Sequence, residues 1–206
     1  MASPTNFQKY NISIEPNLEK AFLFYQKHIL EVDRDLVPIL NDYNFKNVLP
    51  SWKFELFAAI LVGDQSRKGT FEKEFSKNPS KEGRNSKDAN GSDLMSHEIK
   101  ARLDGAAFEY QYHRDCWRKK LEEEPKVGHI FISYWEGYQD LDVRKVEGAE
   151  LAALFASWEN IIEEKYSQKK LNDRCRLYVP YKVAVEKGSL LLRIRDAKIV
   201  YEGKAC

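Results

Sequence analysis

Glu98, Ile99 and Lys100 form an acidic-x-Lys triplet, and Asp93 precedes it behind a Gly91-Ser92 turn signal. In an extended strand alternate side chains share a face, so Glu98 and Lys100 project together while His97 and Ile99 point the other way. Asp93 can be carried back toward Glu98 by the turn. Two carboxylates and a backbone carbonyl, that of Ile99, make an oxygen-rich partial cage of the kind Mg²⁺ accepts while keeping several waters. Such an ion neutralises charge on phosphoryl oxygens and lowers the pKa of a bound water. Lys100 would hydrogen-bond that water and the phosphate. A second ion needs a further carboxylate, and Glu55, set among Phe54, Leu56, Phe57, Ala58 and Ala59, is the candidate.

Five acidic-x-Lys triplets occur in the chain, about what composition alone produces, so the setting must choose among them. Glu124-Pro125-Lys126 spans a proline that stops a helix, and Glu163-Glu164-Lys165 lies within a helix, where a spacing of two does not share a face. Glu202-Gly203-Lys204 is in the terminal tail. Asp196-Ala197-Lys198, with Asp173 upstream, is the rival, but it lacks the close Gly-Ser-Asp lead-in of the Glu98 triplet.

The elements that would position these groups follow from periodicity. Asn17 caps a helical stripe of Leu18, Ala21, Phe22, Phe24, Tyr25, Ile29 and Leu30, a core or dimer face. A helical stretch near Asp35 to Leu40 is interrupted by Pro38. Ser51 caps a further helix over Trp52 to Val62, ended by Gly63. From Gln65 to Asn90 apolar residues nearly vanish and Lys68, Arg84 and Lys87 stand among Ser, Asn and Gly, which predicts a long, mobile, basic loop.

Strands are predicted over His97 to Leu103, Ala106 to Tyr112 and His129 to Trp135, with Asp104-Gly105 as a hairpin turn signal between the first two. A helix spans Arg114 to Glu123, stopped by Pro125, and an amphipathic helix covers Ala149 to Lys169. Cys175 to Val185, Leu190 to Arg195 and Lys198 to Tyr201 read as strands. The expected fold class is therefore α/β: a central mixed β-sheet flanked by helices, with an N-terminal helical region over residues 1–50, in one domain of residues 1–206.

Composition bounds the rest. The 206 residues are 43% hydrophobic and 32% charged, and the formal net charge of +1 places any polyanion binding on local patches. Cys116, Cys175 and Cys206 are odd in number and form no CxxC, which points to reduced thiols and a cytoplasmic location rather than a disulfide framework. No apolar run reaches membrane-span length and no signal peptide opens the chain, so no membrane partner is expected. The histidines show no HxxxH or HxH spacing for zinc, and neither GxSxG nor a phosphate-cradling glycine motif occurs.

Asp93, Glu98 and Lys100, preceded by a helix bearing Glu55 and followed by strand, helix and strand, resemble the PD-(D/E)XK nuclease superfamily. The small size is similar to that of type II restriction endonucleases. The resemblance spans Ser51 to Trp135. Ser92 stands where that motif has proline, and only four residues separate Asp93 from Glu98. The short gap keeps Asp88 as an alternative to Asp93. The resemblance implies an α/β/α core, hydrolysis of DNA phosphodiesters with one or two Mg²⁺ ions to leave 5′-phosphates, and a homodimer on a two-fold symmetric site in double-stranded DNA.

Further residues suit DNA contact. Arg102 follows the triplet, and Gln111, His113, Arg114, Arg118 and Lys119 lie where a strand opens into a helix; Gln and Arg can read purine edges there. Arg174 and Arg176 alternate with apolar residues on a later strand, beside Tyr178, Tyr181 and Lys182. Two other readings use the same residues. One is a structure-selective or repair nuclease; the other is a non-catalytic DNA-binding domain in which Glu98 and Lys100 form an ion pair worth roughly 0–1 kcal/mol when exposed.

Overall fold

The computed structural model describes residues 16–31, 51–63, 97–167 and 174–203. Asp93, Asp88, the 65–90 loop with Lys68, Arg84 and Lys87, and the helix expected near Asp35 lie outside the described residues, as do Asp173 and Cys206.

Asn17 caps helix α1, Leu18–Tyr25, its Oδ1 accepting from the Lys20 amide at 2.8 Å, and a wider π-type turn continues it over Gln26–Leu30. Helix α2, Ser51–Val62, ends at Gly63, whose φ of 71° favours a residue without a side chain. The two helices pack on each other through Ala21, Tyr25, Phe57 and Ala58, all buried. The N-terminal stripe is thus core.

Among the described residues seven strands follow: β1 His97–Leu103, β2 Phe108–His113, β3 Gly128–Tyr134, β4 Leu141–Glu147, β5 Arg174–Val179, β6 Ser189–Arg195 and β7 Lys198–Glu202. Five form a mixed sheet in the order β1-β3-β4-β6-β7, in which β1 and β3 are parallel and the other pairs antiparallel. The class is α/β with a mixed five-stranded sheet and helices, as the sequence predicts.

Asp104-Gly105 makes its turn, with Ala106 N donating to Leu103 O at 3.0 Å and Gly105 at φ 72°. The expected hairpin does not follow. Strand β1 pairs with β3, and β2 instead pairs antiparallel with β5 in a separate two-stranded ribbon. The reason is the inward set of β2, Phe108, Tyr110 and Tyr112, which is aromatic and is buried over the sheet, the Phe108 ring lying tilted with its centre 4.5 Å from that of Phe131.

Two further expectations need correction. Strand β4 lies where no element was predicted, because Asp142, Arg144 and Lys145 give the segment the look of a loop; buried pairing of Asp142 with arginines on β6 makes the strand tolerable. The segment Cys175 to Val185 is not one strand. It ends at Pro180, which has no amide hydrogen to give a ladder, and Tyr181–Lys187 forms a short helix, α5.

Helix α3, Trp117–Glu123, runs into a 3₁₀ turn at Pro125, and α4, Ala152–Ser167, is preceded by a 3₁₀ turn over Gly148–Leu151. The sheet divides two cores. Ile99, Ile130, Ile132, Val143, Leu192 and Ile194 pack against α1 and α2 on one face. Phe131 and Val146, on the other, meet the ribbon together with Trp117, Phe155 and Trp158 of α3 and α4.

Candidate active site

Strand alternation sends Ile99 into the first core and Glu98, Lys100 and Arg102 toward the ribbon. Lys100 Nζ stands 2.7 Å from Glu98 Oε1, with the side chains 21% and 11% exposed. The ammonium also lies 4.8 Å from the ring centre of Tyr110, on the ribbon strand that crosses above it. A partly desolvated ion pair over an aromatic face is held far more firmly than an exposed one.

Behind this pair is a buried polar chain. Tyr110 Oη lies 2.7 Å from His129 Nδ1, and His129 Nε2 lies 2.8 Å from the Glu124 carbonyl. A carbonyl only accepts, so Nε2 carries the proton and Nδ1 takes its hydrogen bond from Tyr110. His129 and Glu124 are fully buried, and His129 stands directly across from Glu98 in the β1–β3 register. The Glu124 carboxylate is 4.0 Å from Nδ1, beyond hydrogen-bond length.

The outward face of the ribbon carries a second network, centred on Glu109. Arg102 Nη2 donates to Glu109 Oε2 at 2.9 Å and Gln111 Nε2 to Oε1 at 2.6 Å; Arg176 Nε stands at 3.8 Å and Tyr178 Oη at 3.5 Å. Arg174 Nη1 donates in turn to Gln111 Oε1 at 3.0 Å. Burial alone would raise the Glu109 carboxyl, but the Gln111 hydrogen bond and the charges of Arg102 and Arg176 outweigh it and hold the group below the usual carboxylate range.

A third network lies further along the same sheet face. Arg193 grips Asp142 with two hydrogen bonds, of 2.9 and 2.7 Å, and Arg195 Nη2 stands 2.8 Å from Oδ1, with Arg144 at 3.9 Å. Burial pushes the Asp142 carboxyl up; the Arg193 hydrogen bond and the Arg195 charge outweigh it and keep the group low. The nearby Tyr181 hydroxyl is pushed up by burial, by its hydrogen bond with Asp104 and by the Asp104 and Asp142 charges.

The expected site residues thus fall into groups. Glu98, Lys100 and Arg102 share one strand face, and Gln111, Arg174 and Arg176 join them through the ribbon. His113 ends β2 opposite Arg174. Arg114 lies over the Tyr166 ring, Arg118 pairs with Glu163 at 2.8 Å and Lys119 with Glu123 at 3.7 Å, so these three are engaged on the helical side. Glu55 sits half-buried on α2, which covers the Ile99 face, and it would reach the Glu98 face only around the β1 edge. The rival triplet is in the β6–β7 turn, where Asp196 has φ 49°, so its acid and lysine share no strand face.

Sequence reasoning missed Glu109, Asp142 and the Tyr110–His129 pair. Only Glu109 left a signal: with Gln111 and His113 it occupies the polar alternation of Phe-Glu-Tyr-Gln-Tyr-His, matching the polar alternation of Arg174, Arg176 and Tyr178. Glu98 offers hard carboxylate oxygen of the kind Mg²⁺ accepts, while Asp93, the second ligand expected from the sequence, lies outside the described residues. Among the described residues no group of three or more His, Cys, Asp or Glu is placed to hold a metal. No helix among them is long and apolar enough to cross a membrane. Compared with protein-family models and with curated proteins, the chain matches none.

Proposed function

We propose that the protein is a type II restriction-type endonuclease, cutting double-stranded DNA by Mg²⁺-dependent hydrolysis, with the restriction-endonuclease-like α/β/α core. The observation that carries this reading is the 2.7 Å Glu98–Lys100 pair on one face of β1, at the end of a mixed sheet. A carboxylate and an ammonium so fixed suit phosphodiester hydrolysis, whose demands are charge neutralisation and positioning of water.

In this reading Glu98, with Asp93 and the Ile99 carbonyl, would hold the cation, and Glu55 would support a second. Bound Mg²⁺ would neutralise phosphoryl charge and acidify water. Lys100 donates to a phosphate oxygen and orients the attacking water. The water oxygen bonds to phosphorus as the P–O3′ bond breaks; the water gives up one proton to solvent and the departing O3′ takes one from solvent, leaving a 5′-phosphate and a 3′-hydroxyl. Arg102 would hold the backbone alongside, with the basic Lys68, Arg84 and Lys87 segment as a further contact. A homodimer would present one such site to each strand.

The test is digestion of unmethylated phage DNA with Mg²⁺, with EDTA as control. Discrete, reproducible fragments are expected, abolished by EDTA and by Lys100→Ala, while Lys100→Ala still binds DNA. Undiminished cutting by that variant sinks the assignment; smears or cutting confined to junctions would mark a repair nuclease instead.

A further inference from the structure

The outward face of the β2–β5 ribbon combines a shape, a charge and a set of unused hydrogen-bonding groups. A two-stranded antiparallel ribbon fits the major groove of B-DNA. Side chains two residues apart on a strand are spaced roughly 6.6 Å, close to the roughly 6.8 Å of two base steps. Among the described residues Arg102, Arg174 and Arg176 gather on this face around the Glu109 carboxylate, so the face suits a polyanion.

The details favour reading of bases over simple backbone contact. Gln111 gives one amide hydrogen to Glu109 and one lone pair to Arg174, which fixes the orientation of its amide. One N–H and one lone pair then remain, the pair that bonds adenine N7 and N6 together. Arg176, directly across the ribbon from Gln111 and 59% exposed, stands with Nε 3.8 Å from Glu109, and a guanidinium so exposed can bond guanine O6 and N7 together. Preorganised readers lose little freedom on binding.

We propose that this face enters the major groove and selects the DNA sequence, with Gln111 and Arg176 contacting neighbouring purines and Glu109 as the residue that positions both. The identity of the partner as duplex DNA rests on the nuclease reading above. The ribbon follows directly from β1 through the Asp104-Gly105 turn, and the Arg102–Glu109 pair ties it to the strand of Glu98 and Lys100. Base reading and phosphate chemistry would therefore occur on adjoining surfaces of one chain.

The experiment exposes the full chain to a random-sequence duplex library in Ca²⁺ and sequences the retained DNA. The wild type is expected to enrich a short motif. Gln111→Ala should lose the preference for adenine at one position and Arg176→Ala that for guanine at another, each by roughly five- to a hundredfold. Lys187→Ala, at the exposed end of α5, should enrich the wild-type motif unchanged. Glu109→Gln frees two guanidinium groups, so its motif should blur while its affinity for unrelated duplex rises and its log-log salt slope steepens by up to about 2. Thermal melts of all four variants check folding. An unchanged motif in both Gln111→Ala and Arg176→Ala, or no motif from the wild type, overturns the proposal. Persistent cleavage by Lys100→Ala overturns the nuclease reading alone.

Discussion

Lys100 Nζ stands 2.7 Å from Glu98 Oε1, and a Tyr110 ring closes over the ammonium at 4.8 Å. The pair joins two groups of opposite charge whose roles in hydrolysis differ, so their variants separate. Glu98→Gln keeps the shape and removes the charge a cation needs; cleavage should fall about 10²- to 10⁴-fold, and calorimetric binding of Ca²⁺ should disappear with it. Lys100→Arg keeps the charge but replaces a compact ammonium by a planar fork that the site beneath Tyr110 is not shaped to hold. Cleavage should fall comparably while Ca²⁺ binding persists. Equal loss of ion binding in both variants would contradict this division of labour.

Periodicity revealed those parts of the fold whose side chains obey a simple inside-outside rule. The alternation of β1 and the capped stripe of α1 were legible because one face of each is apolar, and α2 because a nearly continuous apolar run opens after Ser51 and closes at Gly63. Strand β4 was not, since its Asp142 is made tolerable only by Arg193 and Arg195, some fifty residues later in the chain. The parting of β1 from β2 was hidden for a related reason: a Gly turn reports a reversal, but whether the second strand joins the sheet or lies over it depends on what its aromatic residues find to pack against. Glu98 and Lys100 were readable as a pair; Glu109 needed knowledge that β2 and β5 are neighbours.

The Tyr110–His129 hydrogen bond of 2.7 Å is fully buried. Tyr110→Phe removes the donor to Nδ1 and leaves the ring that lies over Lys100 in place. Stability should drop by about 1–3 kcal/mol, the cost of a buried acceptor losing its donor. Cleavage measured well below the melting temperature should stay within a few-fold of wild type. Urea denaturation and initial-rate assays on the same preparation check both halves; a large rate loss without a stability loss would show that the hydroxyl acts in catalysis.

Asp142 and Glu109 both titrate below the usual carboxylate range in the folded protein. For groups lowered in this way the linked stability is fully present above the unfolded pKa values of about 4 and is lost as pH falls through the folded ones. Urea midpoints should therefore hold between neutral pH and about pH 5 and decline below about pH 4. At pH 7 Asp142→Asn should cost about 3 kcal/mol, because it leaves the arginine cluster without its buried counter-charge. The difference between that variant and wild type should shrink on acidification; a constant difference down to pH 3 would assign its cost to packing instead.

Gly148 offers a test that reaches the site through the backbone. A Cβ at this position would press on the Val127 carbonyl oxygen and lie 2.5 Å from the Glu124 carbonyl oxygen and 2.8 Å from the Pro125 carbonyl carbon. None of these is the end of a flexible side chain, so relief requires the 3₁₀ turn at Pro125 to move. That turn presents the Glu124 carbonyl that fixes His129, and through it Tyr110 and the cover over Lys100. Gly148→Ala should lose about 1–3 kcal/mol or more by overpacking, while cleavage at temperatures where the protein remains folded should stay within a few-fold of wild type, as for Tyr110→Phe. Gly105→Ala is the matched control: nothing lies within 4 Å of its Cβ, and the positive φ alone should cost about 1 kcal/mol. Comparable melting temperatures for the two alanine variants would show that the Pro125 turn yields freely and does not hold the site.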